Sequence, residues 1–247
     1  CFVFFVATMF YRSTDFKTVA MTTGVAAAHV LVLVLSRDLG NALIFFLTYL
    51  FMLFVATGKW LYLGSGLAAG CAASVAAYRL FPHVQRRVAA WRDPWSDVAD
   101  TGYQIAQSLF AIGTGGWLGM GLGRGLPEKI PVVVEDFMIS AVAEELGGLF
   151  AICLILICLG CFLQFMMIAV RMQAMFYKLI AFGLGCEYIV QVLLTVGGAV
   201  KFIPLTGVTL PLVSYGGSSV AGTFILFSVI QGLYILKRNE EEEDEEK

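Results

Sequence analysis

The 247 residues are 59% hydrophobic and only 14% charged, where a soluble domain carries about 25% charged residues. That excludes an ordinary soluble enzyme, leaves no basis for a nucleic-acid partner, and points to a protein of the lipid bilayer. The formal charge of −2 is set by seven consecutive acids at 240–246; without them and Lys247, the 16 basic and 18 acidic residues fall to 15 and 11, a net +4.

A bilayer-spanning helix needs about 20 mainly apolar residues. Such runs cover 18–36, 39–57, 60–81, 137–170, 179–200 and 213–236, and 1–11 reads as the end of another. The chain opens inside an apolar run, without an initiator Met or a signal-peptide pattern, and is expected to be a fragment preceded by further spans. Barrel strands would alternate every second residue, which these runs do not. The expected class is therefore all-α, a polytopic transmembrane helical bundle. The run 137–170 exceeds a simple span, so its first turns are expected outside the hydrocarbon or tilted. Gly66 and Gly70 have the spacing of close helix packing.

The segment 82–136 is too long for a compact linker. It holds Trp91, Trp95, Tyr103, Phe110 and Trp117, so order is expected, with 102–112 spaced as an interfacial helix. The tail 239–247 reads as a disordered acidic segment, leaving 1–238 as the membrane domain. Cys153, Cys158 and Cys161 share a C-x4-C-x2-C spacing with plant-type iron–sulfur proteins. In an uninterrupted apolar helix, cysteines are small hydrophobes, and no cluster or disulfide framework is expected. With the tail in the cytoplasm, Arg12, Lys17, Lys59, Arg171, Lys178, Lys237 and Arg238 fall inside, and only Arg37 and Lys201 fall in short external loops. The excess favours a cytoplasmic tail and an extracytoplasmic 82–136 loop.

Four carboxylates, Glu135, Asp136, Glu144 and Glu145, flank the start of the 137–170 run. Asp136 stands where a helix N-cap would, and capping alone accounts for it. Glu144 and Glu145 lie about 12 Å further along a helix, where an ionisable group is either paired structurally or lines a wet functional cavity. Glu187 and Gln191 share a face one turn apart, as interhelical glue or as functional polar groups. The glycine-dense stretch 113–125 has no G-x-G-x-x-G match and no Walker lysine, so nucleotide binding is not expected. Such a backbone can wrap an anion with Arg124 as positive partner, or simply form a flexible turn. These features describe a basic-and-acidic cleft that handles an anionic substrate at a membrane surface.

Five segments carry a closer likeness: SRDLGNAL (36–43), RRVAAWRDPWSD (86–97), GYQIAQSLFAIGTGGWLGMGLG (102–123), EDFMISAVAEELG (135–147) and TGVTLPLVSYGGSS (206–219). In order and spacing they resemble the SEDS family, the shape, elongation, division and sporulation proteins of the FtsW, RodA and SpoVE group. The resemblance implies a ten-helix membrane enzyme entered here within its fourth span, with 82–136 as the large external loop. It implies polymerisation of lipid II into glycan strands, beside a class B penicillin-binding transpeptidase and other divisome or elongasome proteins.

Asp136 matches the family's essential loop aspartate, and the resemblance makes it the expected catalytic base. Expected substrate-binding residues are Arg86, Arg87 and Arg124 for the pyrophosphate, then Glu144, Glu145, Gln191, Ser214, Tyr215, Gly216, Gly217 and Ser218. No metal ligand is expected; a divalent cation is compatible with the pyrophosphate, but no motif specifies one. A lipid flippase or ion-coupled carrier shares the intramembrane acids, and a non-catalytic scaffold is the third reading.

Overall fold

The computed structural model describes residues 1–100 and 102–245. Among them every regular element is helical: α1 Phe2–Arg12, α2 Phe16–Leu35, α3 Leu39–Thr57, α4 Trp60–Leu80, α5 Pro82–Arg92, α6 Tyr103–Gly115, a 3-10 turn Pro127–Lys129, α7 Met138–Leu146, α8 Gly148–Arg171, α9 Met175–Ala199 and α10 Gly217–Glu245. Six of these, α2, α3, α4, α8, α9 and α10, are long and apolar enough to cross a membrane.

Local chemistry sets the ends. Asp38 caps α3 by accepting the Asn41 backbone N–H at 3.1 Å, and Gly58 ends that helix in the left-handed region at φ 65°. Glycine adopts this conformation without steric penalty.

The contacts divide into two compact units. The first comprises Cys1–Leu67, Leu159–Val190 and the chain from Val220 onward. Phe2, Val3, Val6, Ala7 and Phe10 of α1 are buried there. Gly183 of α9 makes room for Val3 and Met52, since a β-carbon would lie 2.7 Å from Val3 Cγ1 and 2.6 Å from Met52 Sδ. Phe165, Tyr188 and Phe227 pack edge to face, a favoured aromatic geometry. Gly66 lies against Leu50.

The second unit comprises Ala68–Cys158 and Gln191–Ser219. Its centre is the packing of α6 on α7. Ser108 and Ser140 share a 2.7 Å hydroxyl contact, Ser108 Oγ also donates to the Ala199 carbonyl at 2.8 Å, and Phe137 is fully buried beside them.

Three expectations change. The 137–170 run is not one helix. It breaks at Gly147, which has φ 92° and lies against the Trp117 carbonyl with no room for a side chain. Asp136 is not the cap of α7: Phe137 holds that position and no side chain caps it. The Asp136 backbone N–H instead turns back to the Val132 carbonyl at 3.1 Å. In the tail expected to be disordered, α10 continues to Glu245, and Arg238 pairs with Glu242 at 2.8 Å one turn on, a spacing that supports helix. The last two tail residues lie outside the described part.

Candidate functional site

All of the site geometry lies within the second unit. Pro82 opens α5, where its missing N–H is no loss, and the helix presents Arg86 and Arg87. The Arg87 guanidinium donates from Nη1 to the Thr206 carbonyl at 3.2 Å, and Trp91 Nε1 donates to the Lys201 carbonyl at 3.1 Å. These bonds fasten α5 to the 200–216 loop. That loop is also held by α9: Gln191 Nε2 donates to the Thr209 carbonyl at 2.9 Å, and Thr195 Oγ1 to the Val208 carbonyl at 2.8 Å. Ser214 Oγ accepts the Leu210 N–H, Thr209 Oγ1 donates to Ser219 Oγ, and the Tyr215 N–H reaches the Val134 carbonyl at 2.7 Å.

The result is a cavity of about 270 Å³ lined by Arg86, Arg87, Gln104 and Asp136, with Ala90, Ile105, Val132 and Leu205 as its apolar wall. Arg87 and Asp136 both approach Gly207, where a β-carbon would lie 3.7 Å from Nη2 and 3.8 Å from Oδ2. Val132 supports Asp136 from an unusual backbone. Its φ is 53°, rare for a β-branched residue, and its carbonyl accepts the N–H groups of both Glu135 and Asp136. Such strain amounts to about 1–3 kcal/mol and clusters at functional sites.

The Asp136 carboxyl is pushed above its ordinary value of 3.8, first by burial and then by the neighbouring Glu135 charge, while the Arg87 guanidinium pulls the other way. A carboxylate with raised proton affinity can accept a proton, and the arginines in the same cavity can hold an anion. Among the described residues no three His, Cys, Asp or Glu side chains gather where they could hold a metal ion. Cys153, Cys158 and Cys161 lie along α8, none of them in a disulfide, and Cys158 is buried.

The sequence over 1–239 matches the family model described as a cell cycle protein, FtsW/RodA/SpoVE. The chain belongs to that family.

Among FtsW/RodA/SpoVE relatives, the peptidoglycan glycosyltransferase RodA of Mycobacterium bovis is 38% identical over 199 residues, 81% of this chain and 42% of that protein. The probable peptidoglycan glycosyltransferase FtsW of Aliivibrio salmonicida is 37% identical over 211 residues, 82% of this chain and 51% of the relative. The corresponding Saccharophagus degradans protein is 34% identical over 241 residues, covering 92% and 61%. The chain thus spans about half the length of the curated relatives it matches. A solved chain, described under "Structural coordination of polymerization and crosslinking by a peptidoglycan synthase complex", superposes with a TM-score of 0.76 at 25% identity, over 95% of this chain and 66% of that one. Family membership together with six spanning-length helices makes this a multi-pass membrane protein.

Within this FtsW/RodA/SpoVE fold, three expected site residues meet: Asp136, Arg86 and Arg87 share the cavity wall. The others lie elsewhere. Glu144 is only 6% exposed; its Oε1 accepts the Leu126 N–H at 3.2 Å, and its Oε2 is buried without a partner. Glu145 Oε1 accepts the Gly123 N–H at 3.1 Å. Arg124 is exposed and does not line the cavity. Gln191 and Ser214 hold loop backbone. The Tyr215 side chain is 74% exposed, Gly216 is half-buried, and Gly217 and Ser218 open α10. Glu187 is half-buried on α9.

Gln104 and Leu205 were missed as wall residues, although both lie within or beside the matched motifs. The usable signal was Gly207, whose φ of 76° places it where only glycine is comfortable.

Proposed function

We propose that this chain is a peptidoglycan glycosyltransferase that polymerises lipid II into glycan strands. The observation that carries the proposal is the cavity shared by Asp136, Arg86 and Arg87, in a chain similar to relatives named peptidoglycan glycosyltransferase. Glycosyl transfer needs a base for the acceptor hydroxyl and positive charge for the departing pyrophosphate. Asp136 is the base: burial raises its proton affinity above that of an ordinary carboxylate, and a positioned base contributes about 10²–10⁴-fold. Arg87, held by the Thr206 carbonyl, and Arg86 stabilise the leaving pyrophosphate. Arg87 is pre-aimed, so no reorganisation is needed as charge develops. Glu144, Glu145, Gln191 and Ser214 act on the substrate indirectly, by fixing the loops around the cavity. The polyprenyl tails lie between helices in the bilayer and hold the sugars at the cavity mouth.

The cavity belongs to the extracytoplasmic side, with the α10 tail in the cytoplasm, in keeping with the Lys and Arg count of the short loops. A class B penicillin-binding transpeptidase is the partner. The similar solved chain, from a complex described as coordinating polymerisation and crosslinking, supports that assignment.

The test is the purified full chain in proteoliposomes supplied with labelled lipid II. Polymer that disappears in Asp136→Asn supports the proposal. Leaflet exchange without polymer identifies a transporter, and neither activity identifies a scaffold.

A further inference from the structure

The loop 116–126 carries Trp117, Leu118, Met120, Leu122 and Leu126 as exposed side chains, Leu118 at 85%. So many large apolar groups in one short segment mark an interaction surface. Its level along the membrane normal is set by two hydrogen bonds. Gly148 N–H donates to the Gly116 carbonyl at 2.8 Å, and Leu149 N–H to the Trp117 carbonyl at 3.2 Å. Both donors belong to the first turn of α8, whose one charged residue, Arg171, is its last. Its 24 residues rise about 36 Å, against about 30 Å of hydrocarbon. The first turn of α8, and the loop bonded to it, therefore stand at the acyl-chain boundary.

A second observation is independent of exposure. Irregular backbone does not face lipid unless its polar groups are satisfied internally. Here the N–H groups of Gly119, Met120, Gly121 and Arg124 donate to the carbonyls of Gly115, Glu144, Glu145 and Gly121. Those of Gly123 and Leu126 donate to the Glu145 and Glu144 carboxylates. Six of the eleven N–H groups of 116–126 are thus satisfied internally, two of them by acidic side chains, one of which is almost fully buried.

We propose that loop 116–126 is a bilayer-embedded hairpin whose apolar side chains contact phospholipid acyl chains, clipped to α7 by Glu144 and Glu145. Arg124, exposed among these apolar groups and absent from the cavity wall, reaches the lipid phosphates; a long cationic side chain extends to the headgroups from just such a position. Trp117 is the residue type that anchors at this level. The lipid is bulk phospholipid, continuous with the surface around α8.

The test uses the full chain in liposomes. Brominated-acyl phospholipid and aqueous iodide are compared as quenchers of tryptophan fluorescence, and the difference between wild type and Trp117→Phe isolates Trp117. A second reporter, Leu122→Trp in Trp117→Phe, samples the far side of the hairpin and replaces a side chain that is 79% exposed. The proposal expects a severalfold larger loss of emission with brominated lipid than with iodide, and a blue-shifted maximum, for both reporters. Quenching by iodide but not by brominated lipid overturns it. Protection from both quenchers also overturns it, because protein then covers the loop.

Discussion

Arg87 and Asp136 meet around Gly207: a β-carbon on that glycine would stand 3.7 Å from the guanidinium Nη2 and 3.8 Å from the carboxylate Oδ2. The glycine keeps the space between base and cation open, and its φ of 76° also suits glycine alone. An alanine there touches its neighbours at ordinary distance, so its penalty is conformational, about 1–2 kcal/mol. Gly207→Ala is expected to lower the unfolding midpoint while retaining most polymerisation. Gly207→Val pushes methyl groups between the two side chains, and its lipid II polymerisation is expected to fall at least tenfold below that of Gly207→Ala. Equal rates for the two variants would show that the reaction does not use the gap.

The surroundings of Asp136 predict opposite pH shifts from two variants. A base works when ionised, so the rate falls as pH drops through its proton affinity, which burial and Glu135 raise and Arg87 lowers. Glu135→Gln removes a raising influence and should move the acid limb of the pH–rate profile to lower pH. Arg87→Gln removes the lowering one and should move it to higher pH, together with a loss of rate from the uncompensated pyrophosphate. Stability runs the other way with pH: a raised carboxyl stabilises the fold fully below 3.8, and that contribution is lost as pH rises through the raised value. Profiles that shift the same way in both variants would remove Asp136 as the titrating base.

Glu144 and Glu145 differ in burial, and their truncations should differ accordingly. Glu144→Ala leaves the Leu126 N–H without its acceptor in a partly buried position, a loss of about 1–3 kcal/mol. Glu145→Ala frees the Gly123 N–H, whose bond is exposed, at the acyl-chain boundary where headgroup water can replace the carboxylate. Thermal unfolding in detergent should rank Glu144→Ala below Glu145→Ala, with Glu144→Gln between Glu144→Ala and wild type, because an amide oxygen can still accept from Leu126. The reverse order would mean that the clip does not hold the loop.

Much of this arrangement could be read from residues that act locally. Asp38 and Gly58 bracket α3 at both ends, so its limits 39–57 follow from capping and hydropathy together. That Arg87 and Asp136 belong to one site comes from the family resemblance rather than from spacing, because 49 positions separate the two in sequence. What stayed hidden depends on tertiary contacts. Asp136 looks like a cap until Val132, at φ 53°, draws its N–H backward. The glycine-rich stretch reads as an anion wrap or a turn, and the donation of the Gly123 and Leu126 N–H groups to Glu145 and Glu144, about 20 residues on, is not legible in it. Gln191 reads as a polar spot in a span, and only the position of Thr209 shows that it holds backbone. Glu144 and Glu145 interrupt the apolar run just before Gly147, but the placement of the break between α7 and α8 at that glycine depends on the loop packed against it.

That division yields the sharpest single-residue prediction. Gly147 has φ 92°, and a β-carbon there would collide with the Trp117 carbonyl and come within 2.5 Å of Gly119 N and 2.6 Å of Leu118 C. Those atoms are backbone, so no rotamer change relieves the contact. Either the glycine-rich loop is expelled or α7 and α8 rejoin as one helix, which would carry Glu144 and Glu145 off the Leu126 and Gly123 N–H groups. Because α7 begins two residues after Asp136, the disturbance reaches the cavity. Gly147→Ala is therefore expected to reduce polymerisation more than Glu145→Ala and to lower the unfolding midpoint further than Gly207→Ala, whose β-carbon meets only side-chain ends. Thermal unfolding and the polymerisation rate, measured on all three variants in one preparation, give the ranking. A Gly147→Ala protein as stable as Gly207→Ala would show that the helix break is not held by the loop.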